Sequence, residues 1–300
     1  MENVLKAAVA RGASDVHIKA GDVFRARING ELVPLTKQPL TPEQTREIAL
    51  RLLPGDEDRA RLDGLRDYDC FWGLPGVGRF RVNILRQRSS FMIVLRVMPF
   101  DVPTLESLEL PSVLRTIAAA ERGIVLIVGA AGSGRTSTAA AIVDHINRTR
   151  ALHVLTLERP IEFLHRDVKC SITQREIGVD SDDVRTALRA ALRQDADVVV
   201  VSELRGAEAV DLALRVAEAG RLLLATLDAP DAAAAVDGLV ASFAAPERGG
   251  ARRRLAAALH AVIAQRLLPR ADGRGRIAAV DVLLATDLAA AAIVTEAATR

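Results

Sequence analysis

Five apolar residues, Ile124-Val125-Leu126-Ile127-Val128, run directly into Gly129-Ala130-Ala131-Gly132-Ser133-Gly134-Arg135-Thr136-Ser137. Residues 138–147 then carry Ala139, Ile142, Val143 and Ile146 at helical spacing. A buried strand, a glycine loop and a helix in that order make a phosphate-binding unit. The glycines let the backbone turn so that successive N–H groups converge on phosphate oxygens, and the helix N-terminus adds its positive end. Gly129, Gly132, Ser133, Gly134, Arg135, Thr136 and Ser137 are the candidate phosphate-binding residues. Thr136 places a hydroxyl where such loops ligate Mg²⁺. The lysine expected in the loop is Arg135. Lysine is a compact point charge and arginine a longer planar fork, so the substitution keeps the charge and changes the geometry.

Around this unit the chain falls into two patterns. Residues 14–19, 24–28, 32–35, 80–85 and 91–98 read as strands, with Asn29-Gly30 as a hairpin signal between the second and third. Thr41-Pro42-Glu43 starts a helix that runs to Leu53. Pro99-Phe100-Asp101-Val102-Pro103 is a linker by composition. Beyond it, buried strands at 124–128, 153–157, 198–201 and 221–225 alternate with helical stretches at 182–194 and 207–219. That alternation requires a mainly parallel sheet. The expected organisation is α/β: an N-terminal domain over 1–100, a linker over 101–114 and a P-loop domain over 115–300. The Ala-rich stretch at 232–235 is compatible with helix.

Three hundred residues suffice for two modest domains with real cores. A net charge of +2 gives no reason to expect a nucleic-acid partner, and Arg252-Arg253-Arg254 heads a helix as a solvated or subunit-facing surface. Cys70 and Cys170 form no CxxC pair, which excludes a disulfide framework and a tetracysteine zinc site. The opening Met1-Glu2-Asn3-Val4 is unlike a signal peptide, and no run reaches membrane-spanning length. A cytoplasmic protein is expected, with membrane attachment only through a partner.

Two further segments carry acids beyond apolar strands. Thr156-Leu157-Glu158-Arg159-Pro160-Ile161-Glu162-Phe163 places carboxylates where one can orient an attacking water. Asp195-Ala196-Asp197-Val198-Val199-Val200-Val201-Ser202-Glu203 ends on an acid at the site of a Walker B carboxylate, near Mg²⁺ or its waters.

With these segments in place, the chain resembles the type II/IV secretion ATPase family and, within it, the PilT-like pilus retraction branch. The resemblance is collinear through Gly12-Ala13-Ser14-Asp15-Val16-His17, Arg79-Phe80-Arg81-Val82-Asn83, the phosphate loop and Pro160-Ile161-Glu162-Phe163. It continues through Gln174-Arg175-Glu176, residues 187–193, Ser202-Glu203-Leu204-Arg205 and Ala264-Gln265-Arg266-Leu267. The resemblance implies a hexameric ring of subunits, each with a PAS-like N-terminal domain and a RecA-like ATPase domain, using ATP and Mg²⁺. By motif position it implies Glu162 as catalytic glutamate, Glu203 as Walker B glutamate, and Arg81 and Arg96 as N-terminal-domain arginines that reach the phosphates. It further implies an inner-membrane pilus platform protein as partner, and a ring made of this chain alone or mixed with an active paralog.

The departures define the expected activity. Arg135 replaces the loop lysine, and Arg159 replaces the acid expected after Glu158. The family's histidine box reads Gly220-Arg221-Leu222-Leu223-Leu224-Ala225-Thr226-Leu227-Asp228, and both histidines are absent. Residues 287–294 do not match the signature linked to retraction. Losing one well-placed transition-state donor costs about 3 kcal/mol, and a carboxylate about 4 Å from a phosphate costs about 4 kcal/mol at an effective dielectric near 20. An Arg159–Asp228 pair would relieve that repulsion. Arg135, Arg159, Arg221 and Asp228 together make efficient hydrolysis doubtful. The expectation is a nucleotide-binding ring subunit with impaired turnover and a structural or regulatory role. A slow but active motor and a scaffold that binds no nucleotide are the alternatives.

Overall fold

The computed structural model describes residues 1–98, 101–271 and 275–295. The chain divides into two compact units, residues 1–100 and 101–300. Pro99 and Phe100, the start of the proline-bounded linker, lie outside the described residues.

The first unit runs α1 (Glu2–Ala10), β1 (Ala13–Lys19), β2 (Arg25–Ile28), β3 (Glu31–Pro34), α2 (Pro42–Leu52), α3 (Asp56–Arg61), β4 (Asp67–Leu74), β5 (Gly78–Gln87) and β6 (Ser90–Val97). Its six strands form an antiparallel sheet in the order β3-β2-β1-β6-β5-β4. Asn29 and Gly30 both take positive φ, as a two-residue hairpin of matching twist demands. Thr41 and Gln44 cap α2 reciprocally: Thr41 Oγ1 accepts the Gln44 N–H at 3.2 Å and Gln44 Oε1 accepts the Thr41 N–H at 2.9 Å. Period-two alternation sends Val16, Ile18, Phe80, Val82, Ile93 and Leu95 to the face that meets Leu5 of α1 and Ile48 and Leu52 of α2. The opposite face carries Asp15, Arg81 and Arg96.

The second unit runs α4 (Val113–Ala118), β7 (Gly123–Val128), α5 (Arg135–Thr149), β8 (His153–Glu158), β9 (Ser171–Glu176), α6 (Val184–Ala191), β10 (Val198–Val201), α7 (Ala207–Glu218), β11 (Leu222–Leu227), α8 (Ala232–Ala241), α9 (Arg248–Ala258), β12 (Leu259–Pro269), β13 (Arg276–Leu284) and α10 (Asp287–Val294). The sheet order is β13-β12-β7-β11-β10-β8-β9. Every pairing is parallel except that of β12 with β13.

The unbroken apolar runs follow from burial on both faces. Along β7, Ile124, Leu126 and Val128 join a core built with α6, α7, α8 and α9, whereas Val125 and Ile127 join a second core with α4 and α5. The segment 101–114, expected as a linker, belongs to that second core. Leu105 and Leu114 are buried in it and Leu108 and Leu110 pack on it, because their apolar side chains have a sheet face to cover. The helix expected over 182–194 is shorter: Asp183 caps it by accepting the Thr186 N–H, and α6 ends at Ala191. Among the described residues no helix is long and apolar enough to cross a membrane.

Candidate nucleotide site

Register brings the acids to the loop. Val128 of β7 pairs with Leu227 of β11, Ala225 with Val201 of β10, and Val201 with Leu157 of β8. Gly129, Asp228, Glu203 and Glu158 therefore sit along one rim, at the carboxyl ends of parallel strands, where open α/β sheets bind ligands.

The loop itself is built for an anion. Gly129 takes φ +155°, and a Cβ there would lie 2.5 Å from the Gln265 carbonyl oxygen, so only glycine fits. Gly134, at φ +91°, precedes α5 in left-handed conformation, and no side chain caps the helix. The first N–H groups of α5 are thus left for a ligand. Ser133 is buried and its Oγ has no hydrogen-bond partner. A buried hydroxyl without a partner beside free helical N–H groups fits a phosphate oxygen. These features suit a nucleotide's phosphates, and Thr136 adds a hydroxyl in the first turn of α5.

Gln265, inside the Ala264–Leu267 motif, holds the loop. It is 2 % exposed on β12; its amide donates to Ser133 O at 2.6 Å, and its Oε1 accepts the Thr138 hydroxyl at 2.8 Å. In the sequence Gln265 stands out only as part of this motif; the pairing of β12 with β7 is what carries it to the loop.

Arg135 opens α5 and turns toward β11, where its Nη1 lies 4.0 Å from Asp228 Oδ1. The separation is an ion pair and too long for a hydrogen bond. Arg135 is 18 % exposed and Asp228 51 %. Coulomb attraction of about 4 kcal/mol at this distance is reduced by solvent toward the roughly 1 kcal/mol of a surface pair. The Arg159–Asp228 pair is thereby corrected. Arg159 forms no ion pair among the described residues, and its Nη2 turns toward Gly178 beyond β9. Arg221 is corrected as well. It precedes β11 and donates to Ala191 O and Leu192 O at 2.5 and 3.3 Å, closing the C-terminus of α6. Seven residues of extended chain, about 20 Å, separate it from Asp228, so it does not face the phosphates.

The segment bearing Glu162 leaves β8 through a cis peptide at Arg159–Pro160 and is tied by several hydrogen bonds. The Arg159 N–H donates to Ser202 Oγ at 2.9 Å and the Ile161 N–H to Glu176 Oε2 at 3.4 Å. The Gln174 amide donates to Phe163 O at 2.9 Å and to Glu158 Oε1 at 3.0 Å, and its Oε1 accepts the His165 N–H at 2.8 Å. Glu158 also accepts the Thr156 hydroxyl at 2.6 Å and the Glu162 backbone N–H. Burial pushes the Glu158 carboxyl above its usual range, against the pull of these donors. Thr136, Glu158, His165, Ser202 and Thr226 line a cavity of about 20 Å³, large enough for one water. His165 is half-buried against it with its buried Nδ1 lacking a partner, and desolvation lowers its pKa to about 4.

Glu203 follows β10 and is half exposed; its Oε1 pairs with Arg205 Nη2 at 2.7 Å. Both groups reach solvent, so the pair opens at a cost below about 1 kcal/mol. Arg81 and Arg96 lie in the first unit on β5 and β6, directly opposite one another. Two like charges in register repel, and each has its own carboxylate: Arg96 Nε donates to Asp15 Oδ1 at 3.0 Å, and Arg81 Nε lies 3.6 Å from Asp69 Oδ1. Burial raises the Asp15 pKa, yet the bonds from Arg96 and Ser14 outweigh it and hold the carboxyl below its usual value.

The chain is 40 % identical over 291 residues to the type IV pilus ATPase PilU of Pseudomonas aeruginosa, covering 96 % of this chain and 75 % of that protein. It is 37 % identical over 276 residues to the retraction ATPase PilT of the same organism, covering 92 % and 80 %. The crystal structure of the pilus retraction motor PilT with bound ADP superposes with a TM-score of 0.94 at 36 % identity, over 99 % of this chain and 86 % of that one. The family model described as type II/IV secretion system protein matches residues 1–297. With that match spanning both units, the chain belongs to the type II/IV secretion system protein family.

Proposed function

We propose that this chain is a nucleotide-binding ring subunit of a type IV pilus machine of the retraction type, with impaired ATP hydrolysis and a structural or regulatory role. The observation that carries the reading is the division within the phosphate loop. Its backbone cradle, the Ser133 hydroxyl and the Gln265 brace are intact, while the one side-chain cation of the loop is turned to Asp228. Binding through backbone N–H groups survives such a change; transition-state stabilisation by a positioned cation does not.

In this reading Gly129, Gly132, Ser133, Gly134, Arg135, Thr136 and Ser137 hold the phosphates of ATP. Thr136 and Glu203 hold Mg²⁺ directly or through its waters, and Glu162 orients water. Arg81 and Arg96 supply charge from the first unit. Mg²⁺ contributes charge neutralisation on the terminal phosphates; the residues of the chain fix where those phosphates lie. The ring contains copies of this chain alone or together with an active paralog. It works in the cytoplasm against an inner-membrane platform protein.

Phosphate release from the purified protein tests the reading, run beside equilibrium nucleotide binding and light scattering with and without ATP. The expected result is measurable nucleotide binding, turnover far below about one per second, and a species larger than a monomer. Turnover at one per second or faster would overturn the impairment. A protein that binds no nucleotide at millimolar concentration would be a scaffold instead.

A further inference from the structure

The pairing of Arg135 with Asp228 bears on which nucleotide the site holds. In a phosphate loop the backbone N–H groups cradle the α- and β-phosphates, and the side chain at the position of Arg135 is the group that reaches the terminal one. The first set is complete here: Gly129 and Gly134 take the positive φ the turn needs, and α5 begins without a side-chain cap. The second is engaged. Arg135 Nη1 stands 4.0 Å from Asp228 Oδ1, and Asp228 is fixed beside the loop because Leu227 and Val128 are register partners. A terminal phosphate brought to Arg135 must displace this carboxylate or bind next to it. Among the described residues of the second unit, Arg159 turns toward Gly178 and Arg205 pairs with Glu203, so neither takes Arg135's place beside Asp228.

We infer that Asp228 makes this site selective for a nucleoside diphosphate over a triphosphate, by occupying the cation that a third phosphate would need. The inference rests on the nucleotide-binding reading above and specifies it. Asp228 acts here as an internal anion: it satisfies Arg135 when two phosphates fill the backbone cradle and competes when a third arrives. The ring subunit would then rest in the diphosphate-bound state at comparable concentrations of the two nucleotides.

The experiment measures dissociation constants for ADP and for the non-hydrolysable triphosphate analogue adenylyl imidodiphosphate, with Mg²⁺, by calorimetry on the full chain. The wild type is expected to bind ADP about tenfold more tightly, about 1.4 kcal/mol. Asp228→Asn and Asp228→Ser should both narrow the ratio to within about threefold by strengthening triphosphate binding and leaving ADP affinity nearly unchanged. Arg135→Lys, with Asp228 in place, should keep the preference. Asp228 is half exposed, and two replacements of different shape guard against a folding artefact in either. Equal affinities in the wild type, or an unchanged ratio in both Asp228 variants, would overturn the inference and leave the nucleotide-binding reading standing. Failure of ADP itself to bind would overturn both.

Discussion

Gln265 and Ser133 are joined by a 2.6 Å hydrogen bond from the side-chain amide of one to the backbone carbonyl of the other, across 132 residues of sequence. The bond fixes the turn of the phosphate loop to a strand on its far side. With the Thr138 hydroxyl on the other end of the same amide, Gln265 has both its polar ends used in a dry site. Truncation of such a group leaves buried partners unsatisfied, at about 1–3 kcal/mol. Gln265→Ala is therefore expected to lower the unfolding free energy by that amount and to weaken ADP binding severalfold, read by denaturant titration and calorimetry. Unchanged stability together with unchanged affinity would contradict the role of a brace.

Turnover should respond to the groups that face the loop and ignore the one that does not. Arg135→Lys alone is expected to recover little hydrolysis, because Asp228 still engages the cation at position 135. Adding Asp228→His should raise the rate beyond the product of the two single changes, since groups that act together are non-additive. Arg221→His should add nothing, and it should cost stability by removing the two donors that close α6. A rate gain from Arg221→His would place that residue at the phosphates after all. Single-turnover phosphate release and thermal unfolding separate these outcomes.

His165 predicts an acid-sensitive fold. Its folded-state pKa of about 4 lies below the ordinary imidazole value of about 6.5, so between those values the unfolded chain binds more protons. Stability therefore rises with pH across that window and is lost as pH falls from about 6.5 to about 4, by up to about 3 kcal/mol. Asp144, the one charge that favours protonation, only partly offsets burial. Glu158, with its raised pKa, works in the opposite direction, as its protonated form is favoured by burial. Thermal unfolding of wild type and His165→Gln between pH 7 and pH 4 isolates the histidine. The variant should lose less stability on acidification, and parallel curves would contradict the assignment.

Gln174 is expected to hold the segment that carries Glu162. Its three bonds go to Glu158, Phe163 and the His165 N–H. Gln174→Ala should speed amide exchange at His165 by at least tenfold while leaving β7 and β11 protected, because loss of a local tie opens a loop before it opens a core. Exchange followed by NMR or mass spectrometry reads this directly. Uniform acceleration across the sheet would mean global destabilisation instead.

The sequence alone determined the parts whose signal is local. Glycines followed by a helical pattern define the phosphate loop, and Asn29-Gly30 defines a hairpin. Runs such as Val198–Val201 define strands covered on both faces, since any polar residue there would lack a partner. The tertiary structure decided what depends on register and on neighbours distant in sequence. β4 carries Asp67, Asp69 and Gly73, so its sequence reads poorly as a strand; it forms because β5 offers a complete ladder. β12 lies beside β7, which turns Gln265 from a motif letter into the brace of the loop. Arg221 and Asp228 occupy two ends of one short strand motif, yet the strand's length sends them to opposite rims of the sheet. Arg135 meets Asp228 rather than Arg159 doing so, because pairing of Leu227 with Val128 fixes which side chains share the rim. Charge partners are set by through-space distance, and only the assembled sheet fixes that distance.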